Sequence, residues 1–122
     1  MALAKEIMQA GVSAGTARAL QGQVSSSVSA AGTTRGTATA LTKSINYIGT
    51  CAAGAGVSLP AMGPNESVIV YNGGANACIV YPPSATVGIN QVAVGTGITL
   101  GTNTMLRVFG RNTTQYLAML SA

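Results

Sequence analysis

The sequence predicts a mainly β protein: a small antiparallel β-barrel or sandwich of about eight short strands, preceded by an N-terminal arm with short helices. Two observations favour this class. From residue 44 onward, short runs rich in Val, Ile and Tyr recur between turns that contain Gly, Pro and Asn. Hydrophobic residues make up 48% of the 122 residues while only 7% are charged, which is the reverse of the composition of disordered chains.

Residues 1–43 are predicted to form the arm. Residues 1–9 (MALAKEIMQ) and 14–21 (AGTARALQ) favour two short helices that Gly11 and Gly22 would end. Each is too short to be stable alone in water and needs a surface to pack against. Residues 24–40 consist mostly of Ser, Thr, Ala and Gly, which is typical of a flexible linker or of an extended arm that orders against a neighbouring subunit.

Residues 44–122 are predicted to form the β domain. Its strands are expected at residues 44–51, 56–60, 67–72, 77–83, 86–90, 97–101, 104–111 and 115–122. The segments 67–72 and 77–83 are expected to pair as a hairpin across the GGAN sequence. The last two segments are expected to form a second hairpin around Asn112.

Several of these strands are apolar on both faces, which predicts association with other subunits. Val68 and Val70 alternate with Ile69 and Tyr71, whereas a strand buried on one face only should alternate with polar residues. A contiguous apolar patch left over after folding marks an interface. The residues expected at a subunit interface are Ile69, Tyr71, Tyr81, Met105, Phe109 and Met119.

The composition excludes most catalytic and metal chemistry, so the chain is not expected to be an enzyme or to hold a cofactor or metal. It has no His and no Asp, and its only side-chain carboxylates are Glu6 and Glu66. A Ser-His-Asp triad, a two-carboxylate glycosidase centre and a four-ligand zinc site therefore lack their parts. Cys51 and Cys78 are interpreted as small buried hydrophobic residues, with a disulfide or a reactive thiol as alternatives.

The net charge of +4 does not by itself indicate a nucleic-acid partner. The six basic residues are scattered along the chain, whereas tracking phosphates requires clustered cations. No segment resembles a secretory signal or approaches the length of a membrane span. Neither a membrane nor a specific nucleic acid is therefore expected as a partner.

Several blocks of the sequence resemble a family of small structural proteins of tailed bacteriophages. The block that joins Val70–Asn72 and Ala75–Ala77 to Val80–Pro83 (VYN, ANA, VYPP) is the most specific of them. The other matching residues are Gly32–Thr34, Ala40–Thr42, Ile45, Asn46, Gly54–Pro60, Ile89 and Asn90.

This resemblance implies a β-rich virion component, most often a head decoration (cement) protein that forms homotrimers on the capsid surface after assembly in the host cytoplasm. Its expected partner is the major capsid protein, whose subunits it would bridge. Six residues are expected in the capsid-binding arm: Leu3, Ile7, Met8, Arg18, Leu20 and Arg35. The alternative is a tail, neck or fibre subunit that recognises a host glycan.

Overall fold

A computed structural model describes residues 24–90 and 92–121 of the chain, and these residues form ten β-strands. Alternation of buried and exposed residues is clear in most of the longer strands, as in β5, where Val68, Val70 and Asn72 are buried. The strands are β1 Val24–Ala30, β2 Thr39–Ala40, β3 Ile45–Cys51, β4 Gly56–Ser58, β5 Ser67–Asn72, β6 Cys78–Tyr81, β7 Gly88–Ile89, β8 Ile98–Leu100, β9 Thr104–Gly110 and β10 Gln115–Leu120.

The strands form two mixed sheets between which the chain alternates. One sheet has six strands in the order β1-β3-β5-β9-β10-β7, and the other has four in the order β2-β4-β6-β8. From β1 to β6 each strand returns to its sheet parallel to the previous one, so this part of the chain winds as a coil that resembles a β-solenoid. Val24 pairs with Ile45 and Ile45 with Ile69, which makes one turn of the coil 21 and then 24 residues long.

The coil is followed by strands that run in the opposite direction. Strand β8 pairs antiparallel with β6, and β9 pairs antiparallel with β5. Strand β10 then forms a hairpin with β9, and β7 pairs parallel with β10 at the far edge of the six-stranded sheet. The described residues thus contain parallel pairing in the first half of each sheet and mostly antiparallel pairing in the second.

One hydrophobic core fills the space between the inner faces of the two sheets. Ile48, Val70 and Leu106 reach it from the six-stranded sheet, and Val57 and Leu100 reach it from the four-stranded sheet; all five are fully buried. Tyr116 is 1% exposed, and its hydroxyl oxygen accepts a hydrogen bond from the backbone N–H of Met62 at 2.6 Å. The small side chains that are common in this chain fit a core that is shared by both sheets.

The predicted antiparallel barrel or sandwich is wrong, although each of the eight segments predicted as strands contains one. The reason lies in the connections, as between β5 and β6. These two strands belong to different sheets instead of pairing as a hairpin. The buried amide of Asn72 donates hydrogen bonds to the carbonyl oxygens of Asn76 and Leu100 and accepts one from the N–H of Gly74, which turns the chain across the core.

Residues 24–40, predicted to be a flexible linker or an extended arm on a neighbouring subunit, belong instead to the two sheets of their own chain, and the described residues contain no helix. Residues 24–30 form β1, which pairs parallel with β3, and residues 39–40 form β2. Val28 packs against the core, Ala30 is buried in it, and the hydroxyl of Thr39 donates a hydrogen bond to the carbonyl oxygen of Ser29 at 2.8 Å. Backbone pairing therefore orders a stretch whose side chains are mostly small and polar. The two helices predicted within residues 1–22 lie outside the described residues.

Candidate functional site

The most distinctive surface of the described residues is the side of the six-stranded sheet that points away from the core. We call it the outer face and define it by four strands, β3, β5, β9 and β10. The strand register places its side chains in three rows, because residues paired across neighbouring strands point to the same side. The rows are Ile45–Ile69–Arg107–Met119, Tyr47–Tyr71–Met105 and Ser67–Phe109–Leu117.

This outer face is apolar and open to solvent. Met119 is 57% exposed, and Ile45 and Met105 are 44% and 43% exposed. Four strands about 4.8 Å apart and about six residues long cover roughly 400 Å². An exposed apolar patch of this size is commonly an interaction site. The outer face therefore has the character of a surface that another molecule covers.

Two stacked tyrosines give part of the outer face a defined shape. The rings of Tyr47 and Tyr71 lie with centroids 5.5 Å apart and planes 11° from parallel. Gly73 lies against the Tyr47 ring so closely that a Cβ atom at this position would overlap the tyrosine hydroxyl. The glycine after Asn72 is therefore needed for the position of the Tyr47 ring.

The outer face also carries one cation near its centre. Arg107 is exposed and lies between Ile69 and Met119 in its row. It makes no ion pair with any residue that the structure describes. Beside it is a groove of about 400 Å³ lined by Asn65, Ser67, Arg107, Phe109, Gly110 and Met119. This groove offers polar and apolar contacts together.

One carboxylate precedes β5. Glu66 stands between Asn65 and Ser67, is exposed, and its Oε1 accepts a hydrogen bond from the backbone N–H of Gly63 at 3.1 Å. The backbone of the same residue accepts a hydrogen bond from the N–H of Gly110. These contacts hold the start of β5 against the end of β9.

The structure brings five of the six predicted interface residues together. Ile69, Tyr71, Met105, Phe109 and Met119 all lie on the outer face. Sequence reasoning did not select Ile45, Tyr47 and Leu117, which share this face. Alternation along β3 and β10 was the signal that could have found them.

The sixth predicted interface residue lies elsewhere. Tyr81 is on β6 of the four-stranded sheet, half-buried, and its hydroxyl donates a hydrogen bond to the carbonyl oxygen of Thr33 at 3.2 Å. Its ring lies across Gly56 and Gly97, where an added Cβ would come within 3 Å of it. Tyr81 therefore packs within its own chain instead of joining the other five.

Of the predicted arm residues, only Arg35 is described. It lies half-buried in a turn closed by the hydrogen bond from the N–H of Thr37 to the carbonyl oxygen of Thr34. Leu3, Ile7, Met8, Arg18 and Leu20 lie outside the described residues.

A second cleft, of about 350 Å³, lies beside strands β1 and β2. Its lining residues are Ser25, Ser27, Val28, Ser29, Thr39, Ala40, Leu41, Thr42 and Asn46. The side-chain amide of Asn46 donates to the carbonyl oxygens of Lys43 and Ile69. Its Oδ1 is buried and has no hydrogen-bond partner in the part of the chain that the structure describes. This oxygen can accept a hydrogen bond from a group that enters the cleft.

Cys51 and Cys78 are free thiols, and both are buried. Burial, and after it the neighbouring Cys51 thiol, raises the pKa of Cys78 to about 12. Since the thiolate is the nucleophilic form, this geometry agrees with a structural role for Cys78. The interpretation of both cysteines as buried core residues thus matches their placement.

Residues 24–90 and 92–121 contain no group of three or more His, Cys, Asp or Glu side chains that could hold a metal ion. They also contain no helix of the length and hydropathy that a membrane span requires. Comparisons of the chain with protein-family models, curated proteins and solved structures found no match.

Proposed function

We propose that this chain is a structural subunit of a bacteriophage virion, a capsid decoration (cement) protein that stabilises the head by bridging major capsid protein subunits. The observation that carries the proposal is the outer face, a contiguous exposed apolar patch of the kind that commonly marks an interaction site. The resemblance of the VYN, ANA and VYPP blocks to tailed-phage structural proteins supports the same assignment.

In the proposed mechanism the protein stabilises the head by physically linking capsid subunits. Copies associate, as the trimer expected for such proteins, and residues 1–22 of each copy dock on the shell. Three weak contacts in one assembly bind far more tightly than one, because the second and third contacts form at high effective concentration. The surplus of basic residues, net charge +4, favours docking on an acidic shell surface.

The test is cosedimentation with empty shells of the major capsid protein encoded by the same genome. The full chain is expected to sediment with the shells at a fixed number of copies. A variant that lacks residues 1–22 keeps all ten strands and is expected to stay folded but to remain in the supernatant. Failure of the full chain to bind would contradict the decoration role, and full occupancy by the shortened chain would contradict docking through residues 1–22.

The second candidate is a tail, neck or fibre subunit that binds a host glycan. It is favoured by one observation, the exposed Tyr47 ring stacked on Tyr71, since flat aromatic surfaces pack against sugar rings. Labelling the protein in intact virions separates the candidates by its location. A glycan array with the Tyr47→Ala variant as the control tests binding directly.

A further inference from the structure

We propose that Cys51 and Cys78 join in a disulfide bond when the folded protein is oxidised, and that this bond links the six-stranded sheet to the four-stranded sheet. Both thiols are free in the structure, so the bond is a modification of the folded chain. It goes beyond the proposed function and does not depend on it.

The two cysteines lie at the same point of the core. Cys51 ends β3 and Cys78 begins β6, so that they belong to different sheets. The Sγ of Cys51 lies 3.5 Å from the carbonyl oxygen of Ala77, the residue before Cys78. The same sulfur lies 3.8 Å from the carbonyl oxygen of Ala55, which accepts a hydrogen bond from the N–H of Ile79. The Cys51 thiol is therefore held beside Cys78.

Contacts of the side chains and of the backbone both keep the pair close. Burial raises the pKa of Cys78 to about 12, and the charge and the hydrogen bond of the neighbouring Cys51 thiol add to this rise. The side-chain amide of Asn76 donates a hydrogen bond to the carbonyl oxygen of Cys51 at 3.0 Å, which ties the start of β6 to the end of β3. Two cysteines whose backbones are close can be bridged by rotation of their side chains.

Hydrogen peroxide is an oxidant small enough to reach this pair, and Cys51 is the thiol closer to solvent. Exposed residues 52–54 follow Cys51, whereas Cys78 is fully buried. The Cys51 thiolate attacks peroxide, the O–O bond breaks, and a sulfenic acid and one water form. The Cys78 sulfur then attacks the sulfenic sulfur, and the S–O bond breaks. The hydroxyl group leaves with the proton of Cys78 as a second water, so the two thiols lose two electrons and two protons in total.

The bond closes the loop of residues 51–78. Closing a loop of this length restricts the unfolded chain more than the folded one, which stabilises the fold. Virion surfaces are among the oxidising environments in which disulfides persist. In a protein with the proposed function, the bond would therefore form after release from the reducing host cytoplasm.

The experiment treats the native full chain with hydrogen peroxide, blocks the remaining free thiols with iodoacetamide in urea, and maps the products without reduction. A protease that cleaves after Glu separates residues 7–66, which contain Cys51, from residues 67–122, which contain Cys78. These two peptides are expected to remain joined, with a mass about 2 Da below the sum of their masses. The oxidised protein is expected to keep the mass of one chain, and dithiothreitol is expected to separate the peptides.

Cys51→Ala and Cys78→Ala are the matched controls, since each keeps one of the two thiols. Neither is expected to join residues 7–66 to residues 67–122. Oxidation of the wild type is expected to raise its thermal midpoint by about 5 °C or more relative to the same sample reduced with dithiothreitol. The two variants are expected to show no such rise.

The wild-type chain unfolded in urea verifies that the oxidant is sufficient, because both of its thiols are accessible. Native thiols that stay free where those of the unfolded chain react, or that react without joining the two peptides, overturn the bond. Joined peptides without a rise in the thermal midpoint overturn its role as a stabilising link between the sheets. Cosedimentation with shells remains the separate test of the proposed function, which none of these results decides.

Discussion

At the scale of single residues, Asn72 connects the outer face to the core. Its buried side chain makes hydrogen bonds to Gly74, Asn76 and Leu100. It thereby joins the β5–β6 connection to the end of β8. Gly73, the residue after it, leaves the space that the Tyr47 ring occupies. One short loop thus fixes both the crossing between sheets and the position of an outer-face side chain.

We predict that Asn72→Ala lowers the free energy of unfolding by about 3 kcal/mol, because it leaves several buried backbone groups without partners. Asn76→Ala is the control from the same loop, since the Asn76 side chain is exposed and donates one hydrogen bond, to the carbonyl oxygen of Cys51. It is expected to cost about 1 kcal/mol. Urea unfolding measures both values, and equal losses would contradict the bridging role of Asn72.

Cys78 leads to a prediction about pH. Its pKa of about 12 in the folded protein lies above its ordinary value of 9.0, so the unfolded chain loses this proton first as the pH rises. Its contribution to stability is therefore fully present below pH 9 and is lost progressively above that value. Urea unfolding between pH 8 and pH 10.5 is expected to show a steeper fall for the wild type than for Cys78→Ala. Parallel pH profiles would show that Cys78 keeps no raised pKa.

At the scale of strands, sequence patterns located the elements but not their partners. The run of residues 68–71 predicts a strand regardless of the sheet that it joins, because β-branched and aromatic side chains suit extended backbone. Pairing depends on where each connection leads, and a Gly-Gly turn suits a hairpin as well as a crossing to the other sheet. The buried amide of Asn72 favours the crossing to the other sheet. The sequence does not reveal whether an amide in a turn will be buried.

Strand β1, within the low-complexity residues 24–40, is an element that the sequence pattern did not locate. Ser25, Ser27 and Ser29 carry no apolar signal, and Val28 and Ala30 alone connect β1 to the core. The strand forms because β3 offers a parallel edge to pair with. Side-chain hydrophobicity carries no signal for a strand that depends mainly on pairing with a neighbouring backbone.

We predict that β1 contributes to stability. A variant without residues 1–30 is expected to unfold with a free energy about 2 kcal/mol lower than a variant without residues 1–22, because it loses the core contacts of Val28 and Ala30 and leaves the edge of β3 unpaired. Thermal unfolding of the two variants at equal concentration measures the difference. The same midpoint for both would show that β1 adds nothing to the fold.

At the scale of the whole molecule, the outer face was partly predictable. Alternation within β5, β9 and β10 separates the five interface residues from the other side of each strand, and only the strand register places them on one surface. Tyr81 could not be separated from them, because its alternation is the same as theirs. Only the division of strands between two sheets, and the glycines beneath its ring, place it in a contact within its own chain.

Because the two sheets share one core, we predict that the described part of the chain unfolds in a single cooperative step. Leu100 is fully buried on the four-stranded sheet, and its core neighbours include residues of the six-stranded sheet. Leu100→Ala is expected to lower the free energy of unfolding by about 3 kcal/mol. Val94→Ala, at an exposed position, is the control and should change it by less than about 0.5 kcal/mol.

The decisive readout uses two probes at one fixed protein concentration, since association shifts the apparent stability. Far-UV circular dichroism reports on both sheets, whereas tyrosine fluorescence is weighted toward the six-stranded sheet, which carries Tyr47, Tyr71 and Tyr116. In Leu100→Ala both transitions should move together, because loss of packing on one sheet removes the support of the other. A dichroism change that precedes the fluorescence change would mean that the four-stranded sheet unfolds by itself, and that the core joins two independent units.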